Sequence, residues 1–341
     1  MEDIRAVPSF PEEKIRKRGI PGSTLKLIAI FTMLIDHTAA VILEQILVSR
    51  GFFVAYSNAS FDSTNIQIYQ IYEWMRNIGR IAFPIFCFLL VEGFRYTSNK
   101  RKYAIRLGLF ALVSEIPFDL AFYERLFYSY HQNVFFTLLI GFLVIWGFQL
   151  IGSKLRDRKW LPLLSAAGAA GAGWIAFTSL QNGMYTYNTF MAGFTGEELS
   201  SVSFSMEKNA MIGTVVVVGA ALLTMYLVRS RKEEMGVFLA DCAVLAAGML
   251  LADFLNTDYS GFGVLTIAVI YALRRNPVSS GVGGYIVLNV MSLSELAAIF
   301  ALVPIALYNG ERGLKLKYIF YAFYPVHLFI LYLICRAMNI I

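Results

Sequence analysis

The chain has 341 residues, of which 57% are hydrophobic and 15% are charged, and its mean hydropathy is +0.61. Apolar runs of about 20 residues recur from Leu25 to the C-terminus, a pattern typical of polytopic helical membrane proteins, and this composition excludes an ordinary soluble domain. We therefore predict an all-α polytopic membrane protein, a bundle of about ten transmembrane helices.

The placement of the cysteines and of the basic residues argues against disulfides, a cysteine metal site and nucleic-acid binding. The three cysteines each fall in an apolar run, without CxxC spacing or a nearby histidine, so we predict neither disulfides nor a metal site. The formal net charge of +6 comes from short basic clusters between apolar runs. Membrane topology explains that placement better than nucleic-acid binding does.

The basic clusters orient the predicted helices. Residues 1–24 form a polar tail ending in KIRKRGIPGS, which predicts a cytoplasmic N-terminus, and residues 25–341 form the membrane domain. The long loops 48–76 and 181–208 are predicted to face outward. Residues 281–307 fit either one tilted span or two short arms broken at Ser292–Glu295. The ten predicted spans are 25–47, 77–97, 104–123, 133–152, 161–180, 209–228, 235–255, 261–273, 281–307 and 318–337.

The first span, which begins LKLIAIFTMLIDH, contains titratable residues that a bilayer segment rarely carries. Lys26 and His37 share one face of a helix and lie about 16 Å apart along its axis. With the N-terminus in the cytoplasm, Lys26 lies at the cytoplasmic surface, and Asp36 and His37 lie past the midpoint. We interpret His37 as a candidate general base.

Other polar side chains fall at two depths of the predicted bundle. Groups of this kind are unfavourable inside a membrane unless they face a cavity or pair with one another, so a shared depth predicts a shared cavity. A basic mouth on the cytoplasmic side would suit a phosphate-bearing ligand. The inner layer is Lys26, Arg95, Arg101 and Arg106; the outer layer is Asp36, His37, Arg80, Glu115, Asn133 and Asp253.

These residues also have structural interpretations. Lys26 at the end of a span can be a snorkelling anchor, and the basic residues after the second span can be markers of topology. Arg80 can form a structural ion pair, with either Asp36 or Glu115. His327, in the last span, is more simply an interfacial or core histidine than a catalyst.

Several stretches, in order along most of the chain, resemble the TraX family, which is named for the protein that acetylates the N-terminus of conjugative pilin. That family is in turn similar to the transmembrane acyltransferases of acyltransferase family three, which carry an arginine and a histidine at the spacing of Lys26 and His37. A lysine at the arginine position loses the bidentate phosphate contact and keeps the charge. The stretches are LKLIAIFTMLIDHTAAV, NIGRIAFPIFCFLLVEGFRYTSNKRKYAIRL, SEIPFD, QNVFFTLLIG, ADFLNTDYSGFGVLTI and FYPVHLFILYLI.

The resemblance implies an enzyme of the bacterial inner membrane, an acetyl-CoA-dependent N- or O-acyltransferase. Acetyl would pass from cytosolic acetyl-CoA to an acceptor on the outer side, either a pilin-like peptide or an envelope glycan, while membrane lipids surround the bundle. The distance from Lys26 to His37 is comparable to the pantetheine arm of the donor. The implied catalytic set is His37, Asp36, Arg80, Glu115 and Asn133, and the implied set for acetyl-CoA is Lys26, Arg95, Arg101 and Arg106.

Two other classes of protein stay open. A proton-coupled transporter or carrier would use the intramembrane Asp, His and Glu residues as a relay. The transporter class predicts inverted repeats and no affinity for acetyl-CoA. The sequence shows no internal repeat clear enough to support an assignment. A non-catalytic assembly or scaffold protein of the envelope would have no need of the adjacent Asp36 and His37.

Overall fold

A computed structural model describes residues 18–55, 63–155, 161–195, 232–314 and 317–341. Most of the predicted polar tail, the predicted span 209–228 and parts of both predicted outer loops lie outside these residues. The described chain is built of helices, which confirms the all-α class for that part. The helices are α1 Gly22–Thr38, α2 Glu44–Ser49, α3 Phe52–Ala55, α4 Ser63–Gly79, α5 Ala82–Tyr96, α6 Lys100–Tyr123, α7 Val134–Leu150, α8 Leu161–Thr195, α9 Lys232–Phe254, α10 Ser260–Ala272, α11 Pro277–Met291, α12 Leu302–Ala306 and α13 Lys317–Ala337.

Six helical segments of the described chain are long and apolar enough to cross a membrane. Two shorter apolar helices, Ser260–Ala272 and Leu293–Ala306, accompany them. Helix α6 has 24 residues, but basic residues in its first two turns lower its hydropathy. The finer prediction of about ten spans stays a prediction. The six segments are Gly22–Ser49, Ser63–Tyr96, Val134–Ser153, Leu161–Ala192, Glu234–Phe254 and Phe320–Ala337.

The apolar core joins helices from both ends of the chain. Fully buried side chains from α1, α5, α7, α10 and α13 belong to one continuous cluster that includes Leu25, Ile85, Phe142, Ile267 and Leu328. Lipid is as apolar as these side chains, so close packing rather than exclusion of water holds such helices together. The backbones of α7 and α10 approach closely at Gly141, because a Cβ there would lie 2.3 Å from an Ile267 methyl group.

The prediction that residues 48–76 and 181–208 form long loops is wrong for most of the first segment and for residues 181–195. Most of the segment 48–76 is helical, and α4 packs along α1. The apolar and polar residues of α4 alternate with a helical period, so its mean hydropathy is low although one face packs against the bundle. Helix α8 likewise continues to Thr195, beyond its predicted end at 180.

The segment 281–307 adopts the two-arm alternative. Helix α11 ends where Ser292 takes an extended conformation (φ −159°, ψ 142°), and a 3₁₀ helix, Leu293–Ala301, leads into α12. The two arms pack against each other, because a Cβ on Gly281 would lie 3.0 Å from Leu302 and 3.3 Å from Ile305. The chain therefore turns back, and we call this unit the hairpin.

The end of the hairpin is tied to the start of α1 by backbone hydrogen bonds, which we call the clasp (Ile20–Ser23 with Leu307–Arg312). The Gly22 N–H donates to the Glu311 carbonyl at 2.7 Å, and the Ser23 N–H donates to the Arg312 carbonyl at 3.1 Å. The first N–H groups of a helix have no partner within it, so the clasp satisfies two of them in α1.

Candidate functional site

His37 lies where α1 meets α6 and α13. Lys26 and His37 both belong to α1, so their position on one continuous helix is confirmed. The His37 side chain is 12% exposed. The rings of Phe122 from α6 and Tyr324 from α13 each approach it edge-on at 5.7 Å. A π-helical segment, Ala39–Leu43, follows immediately, a helix irregularity that is frequent at functional sites.

The second histidine of the site comes from the last helix. His37 Nδ1 lies 2.7 Å from His327 Nε2, and His327 Nδ1 lies 2.7 Å from the Phe323 carbonyl oxygen. The two rings are inclined by only 6° with centroids 4.9 Å apart, so they meet edge to edge. His327 is 5% exposed. His327 is thus a buried, hydrogen-bonded histidine, in agreement with its interpretation as a core histidine, and its ring also contacts the predicted base.

Asp36 pairs with Arg76 rather than with Arg80. Its Oδ2 accepts from Arg76 Nη1 at 2.7 Å and lies 4.0 Å from His37 Nε2. Gly79, one turn beyond Arg76, lets α4 approach α1, since a Cβ there would lie 2.2 Å from the Asp36 side chain. Arg76 is not among the predicted site residues, because residues 48–76 were predicted to form a loop. A helical reading of α4 would have put Arg76 and Gly79 on one face.

Arg80 pairs with Glu295 at the tip of the hairpin, so its expected pairing with Asp36 or Glu115 is wrong. Arg80 Nη1 lies 3.2 Å from Glu295 Oε1, and the Glu295 side chain is 1% exposed. The Tyr259 hydroxyl is a further hydrogen-bond partner of Arg80. The signal that could have found Glu295 is an acidic residue at the break in an apolar run.

The turn before α10 presents Tyr259 to Arg80 at some conformational cost. Tyr259 has a φ of +62°, which is unusual for an aromatic residue, and its ring stacks on Phe83 with centroids 3.6 Å apart. Burial raises the pKa of the neighbouring Asp258 carboxyl, and the positive charge of Arg80 opposes that shift. Asp253 accepts a backbone hydrogen bond at the start of α10 (2.6 Å), so its role is to shape the turn.

Glu115 and Asn133 come together at the start of α7. The Asn133 Nδ2 group donates to Glu115 Oε2 and, at 2.8 Å, to the Ala111 carbonyl of α6. Its Oδ1 accepts from the Phe135 N–H at 3.0 Å and caps α7. Because both ends of its amide are engaged, Asn133 is a helix cap that also fixes Glu115.

Two of the predicted basic residues contact the start of α13. Lys26 Nζ lies 5.2 Å from the centroid of the Phe320 ring. The Arg106 guanidinium lies 5.5 Å from the Tyr103 ring centroid and hydrogen-bonds the Tyr321 hydroxyl. The structure thus brings Lys26 and Arg106 to adjacent residues of the helix that also carries His327.

The other two predicted basic residues lie elsewhere. Arg95 Nη1 pairs with Glu92 at 2.6 Å and donates to the Arg274 carbonyl at 3.4 Å. Arg101 is exposed at the start of α6. The structure therefore splits the predicted inner set: Lys26 and Arg106 contact the start of α13, whereas Arg95 pairs with Glu92.

Taken together, the fold and these groups define a polytopic helical membrane protein with a cluster of titratable side chains inside its helix bundle. The family model described as TraX protein matches residues 21–191 and 191–335. The chain therefore belongs to the TraX family, and the matched ranges contain every site residue described above.

One curated relative is the probable fimbrial assembly protein FimC, serogroup H1, of Dichelobacter nodosus. It is 32% identical over 128 residues, which are 36% of this chain and 43% of the relative. The chain thus aligns with less than half of that protein's length. No solved structure matches the chain.

Proposed function

We propose that the protein is a membrane-embedded acetyltransferase that moves an acetyl group from cytosolic acetyl-CoA to an acceptor at the outer side, with His37 as general base. The observation that carries this proposal is that the predicted base and two of the predicted phosphate-binding residues all contact helix α13. His37 on α1 and His327 on α13 meet deep in the bundle, while Lys26 on α1 and Arg106 on α6 contact the start of α13.

Packed aromatic side chains lie between these two ends. Tyr321 stacks on Phe110 of α6 at 4.8 Å, and Phe135 of α7 approaches Tyr324 edge-on at 5.2 Å. Tyr324 in turn contacts His37. In the proposed complex, the donor phosphates bind at Lys26 and Arg106, and the apolar wall accommodates the thioester arm.

The chemistry needs one proton acceptor and no redox step. The acceptor amine or hydroxyl attacks the acetyl carbonyl, and its proton passes to His37 Nε2. A bond from the acceptor to the carbonyl carbon forms, and the bond from that carbon to sulfur breaks. The proton on His37 then passes to the departing thiolate, which restores the base. Arg76 and Arg80 supply positive charge beside the site, where a negative oxygen develops.

The relative named for fimbrial assembly supports a pilus-type peptide acceptor, with an envelope glycan as the other candidate. In the membrane of a bacterium, we place the N-terminus and the clasp in the cytoplasm, because the basic residues of the loops fall on that side.

The experiment measures acetyl-CoA binding and label transfer with purified protein in nanodiscs, using a short peptide with a free N-terminus and a soluble oligosaccharide as acceptors. His37→Ala should keep acetyl-CoA binding and reduce transfer by about 10²-fold or more, the usual contribution of a general base. His131→Gln is the matched control, since His131 hydrogen-bonds Tyr123 between α6 and α7. Equal transfer by wild type and His37→Ala would remove His37 from the role of base.

The donor site has its own variants in that experiment. Lys26→Glu should weaken acetyl-CoA binding by about tenfold or more, because it reverses a charge beside the phosphates, whereas Lys26→Arg should bind nearly as well as wild type. Equal binding by both variants would leave Lys26 as an anchor. No binding of acetyl-CoA by the wild type would favour the transporter class.

A further inference from the structure

The hydrogen bonds of the two histidines determine where their protons lie. A carbonyl oxygen can only accept, so the His327 Nδ1 that lies 2.7 Å from the Phe323 oxygen carries a proton. In a neutral imidazole the other nitrogen then holds a lone pair. His327 Nε2 is therefore an acceptor.

The same logic continues into His37. The contact of 2.7 Å between His327 Nε2 and His37 Nδ1 requires one donor and one acceptor. Since His327 Nε2 accepts, His37 Nδ1 must donate. The remaining nitrogen, His37 Nε2, holds the lone pair, and it lies 4.0 Å from Asp36 Oδ2. A neutral pair of this kind needs no counter-ion in its largely apolar surroundings.

We propose that His327 is a positioning residue that holds the His37 proton on Nδ1 and so directs the basic lone pair on Nε2 toward the Asp36 and Arg76 side of the site. A free neutral histidine favours the opposite tautomer, so this arrangement has to be imposed by a partner. The catalytic consequence rests on the proposed function: the acceptor must approach His37 from the α4 side, away from α13.

The geometry of α13 makes His327 a well-fixed partner. The Phe323 carbonyl that holds its Nδ1 lies one helical turn earlier, and the Phe323 ring stacks on the His327 ring at 4.6 Å and 14°. The Tyr324 ring contacts both His37 and His327 edge-on. Ring contacts on two sides thus restrain the orientation of His327 before any substrate binds.

Nuclear magnetic resonance of ¹⁵N-histidine-labelled protein tests the tautomers without any assay of activity. The chain has only three histidines, so the assignment needs only single substitutions. Wild-type His37 and His327 should both show protonated Nδ1 and unprotonated Nε2. In His327→Phe, His37 should lose that pattern, whereas His131→Phe should leave it intact. A His37 that carries its proton on Nε2 in the wild type, or that keeps it on Nδ1 in His327→Phe, would overturn the proposal.

His327→Gln provides the conservative variant, because its amide oxygen can accept from His37 Nδ1 at about the position of the lost nitrogen. It should retain the His37 tautomer and transfer acetyl within about tenfold of wild type, while His327→Phe should lose about 10²-fold or more with acetyl-CoA binding unchanged. Equal losses in the two variants would indicate packing alone. If the wild type transfers no acetyl, the proposed function fails, yet the tautomer result stands by itself.

Discussion

The ion pair between Asp36 and Arg76 gives a measurable test of how α4 is held to α1. We consider Arg76→Gln, Asp36→Asn and the double variant. Arg76 Nη1 and Asp36 Oδ2 are 2.7 Å apart; the Arg76 side chain is 24% exposed and the Asp36 side chain is 16% exposed. The pair is therefore intermediate between a surface ion pair, which contributes about 0–1 kcal/mol, and a fully buried one, whose disruption costs about 3–5 kcal/mol.

The expected magnitudes follow from what each variant leaves behind. Arg76→Gln leaves the Asp36 carboxylate without its main partner and with Oδ1 buried and unbonded, so we expect a loss of about 2–3 kcal/mol. Asp36→Asn leaves the more exposed partner, and we expect a loss of about 1–2 kcal/mol. The double variant leaves no unpaired charge, so it should lose clearly less than the sum, which makes the coupling about 1–2 kcal/mol.

Unfolding of the detergent-solubilised protein can be followed with a thiol-reactive dye. Cys87 and Cys335 are buried free thiols, so their labelling reports loss of packing in α5 and α13. The double-mutant cycle requires wild type, two single variants and the double variant under one set of conditions. Strict additivity of the two single losses would refute the claim that this ion pair holds α4 in place.

Two further predictions concern packing and capping. Gly141→Ala should lower the free energy of unfolding by about 1–3 kcal/mol, since the new methyl group would meet Ile267, whereas Gly108→Ala, whose Cβ would lie at an ordinary 3.6 Å from Leu139, should be neutral or stabilise by up to about 1 kcal/mol. Melts of both variants decide this, and equal destabilisation would contradict it. Asn133→Ala should cost about 2–3 kcal/mol, because α7 loses its cap and a buried polar contact is lost with it. An unchanged melting temperature would show that the cap is dispensable.

The sequence predicted the helical class and many helix bounds well, because apolar composition and loop charge act locally along the chain. The predicted spans 235–255, 261–273 and 318–337 differ from the observed helices by at most three residues at either end. The placement of Lys26 and His37 on one helix also follows from local spacing alone.

The partners of the site residues could not be predicted in the same way, since they depend on which helices become neighbours. Arg80 could have met either of two carboxylates, and it meets Glu295, which approaches only because the hairpin turns back. His327 could be linked to His37 only once α1 and α13 were known to pack together. Arg76 was missed for a different reason, because the low mean hydropathy of α4 does not mark it as a membrane span.

The clasp and the histidine pair both join the first described helix to segments near the end of the chain, with 290 positions separating His37 from His327. A growing chain can thus insert α1 early but cannot complete it. The N–H groups of Gly22 and Ser23 gain their hydrogen-bond acceptors only when Glu311 and Arg312 have been made, and His37 gains its histidine partner only when α13 has been made. A product that terminates before residue 327 would therefore lack the second histidine, so the site can form only after His327 has been made.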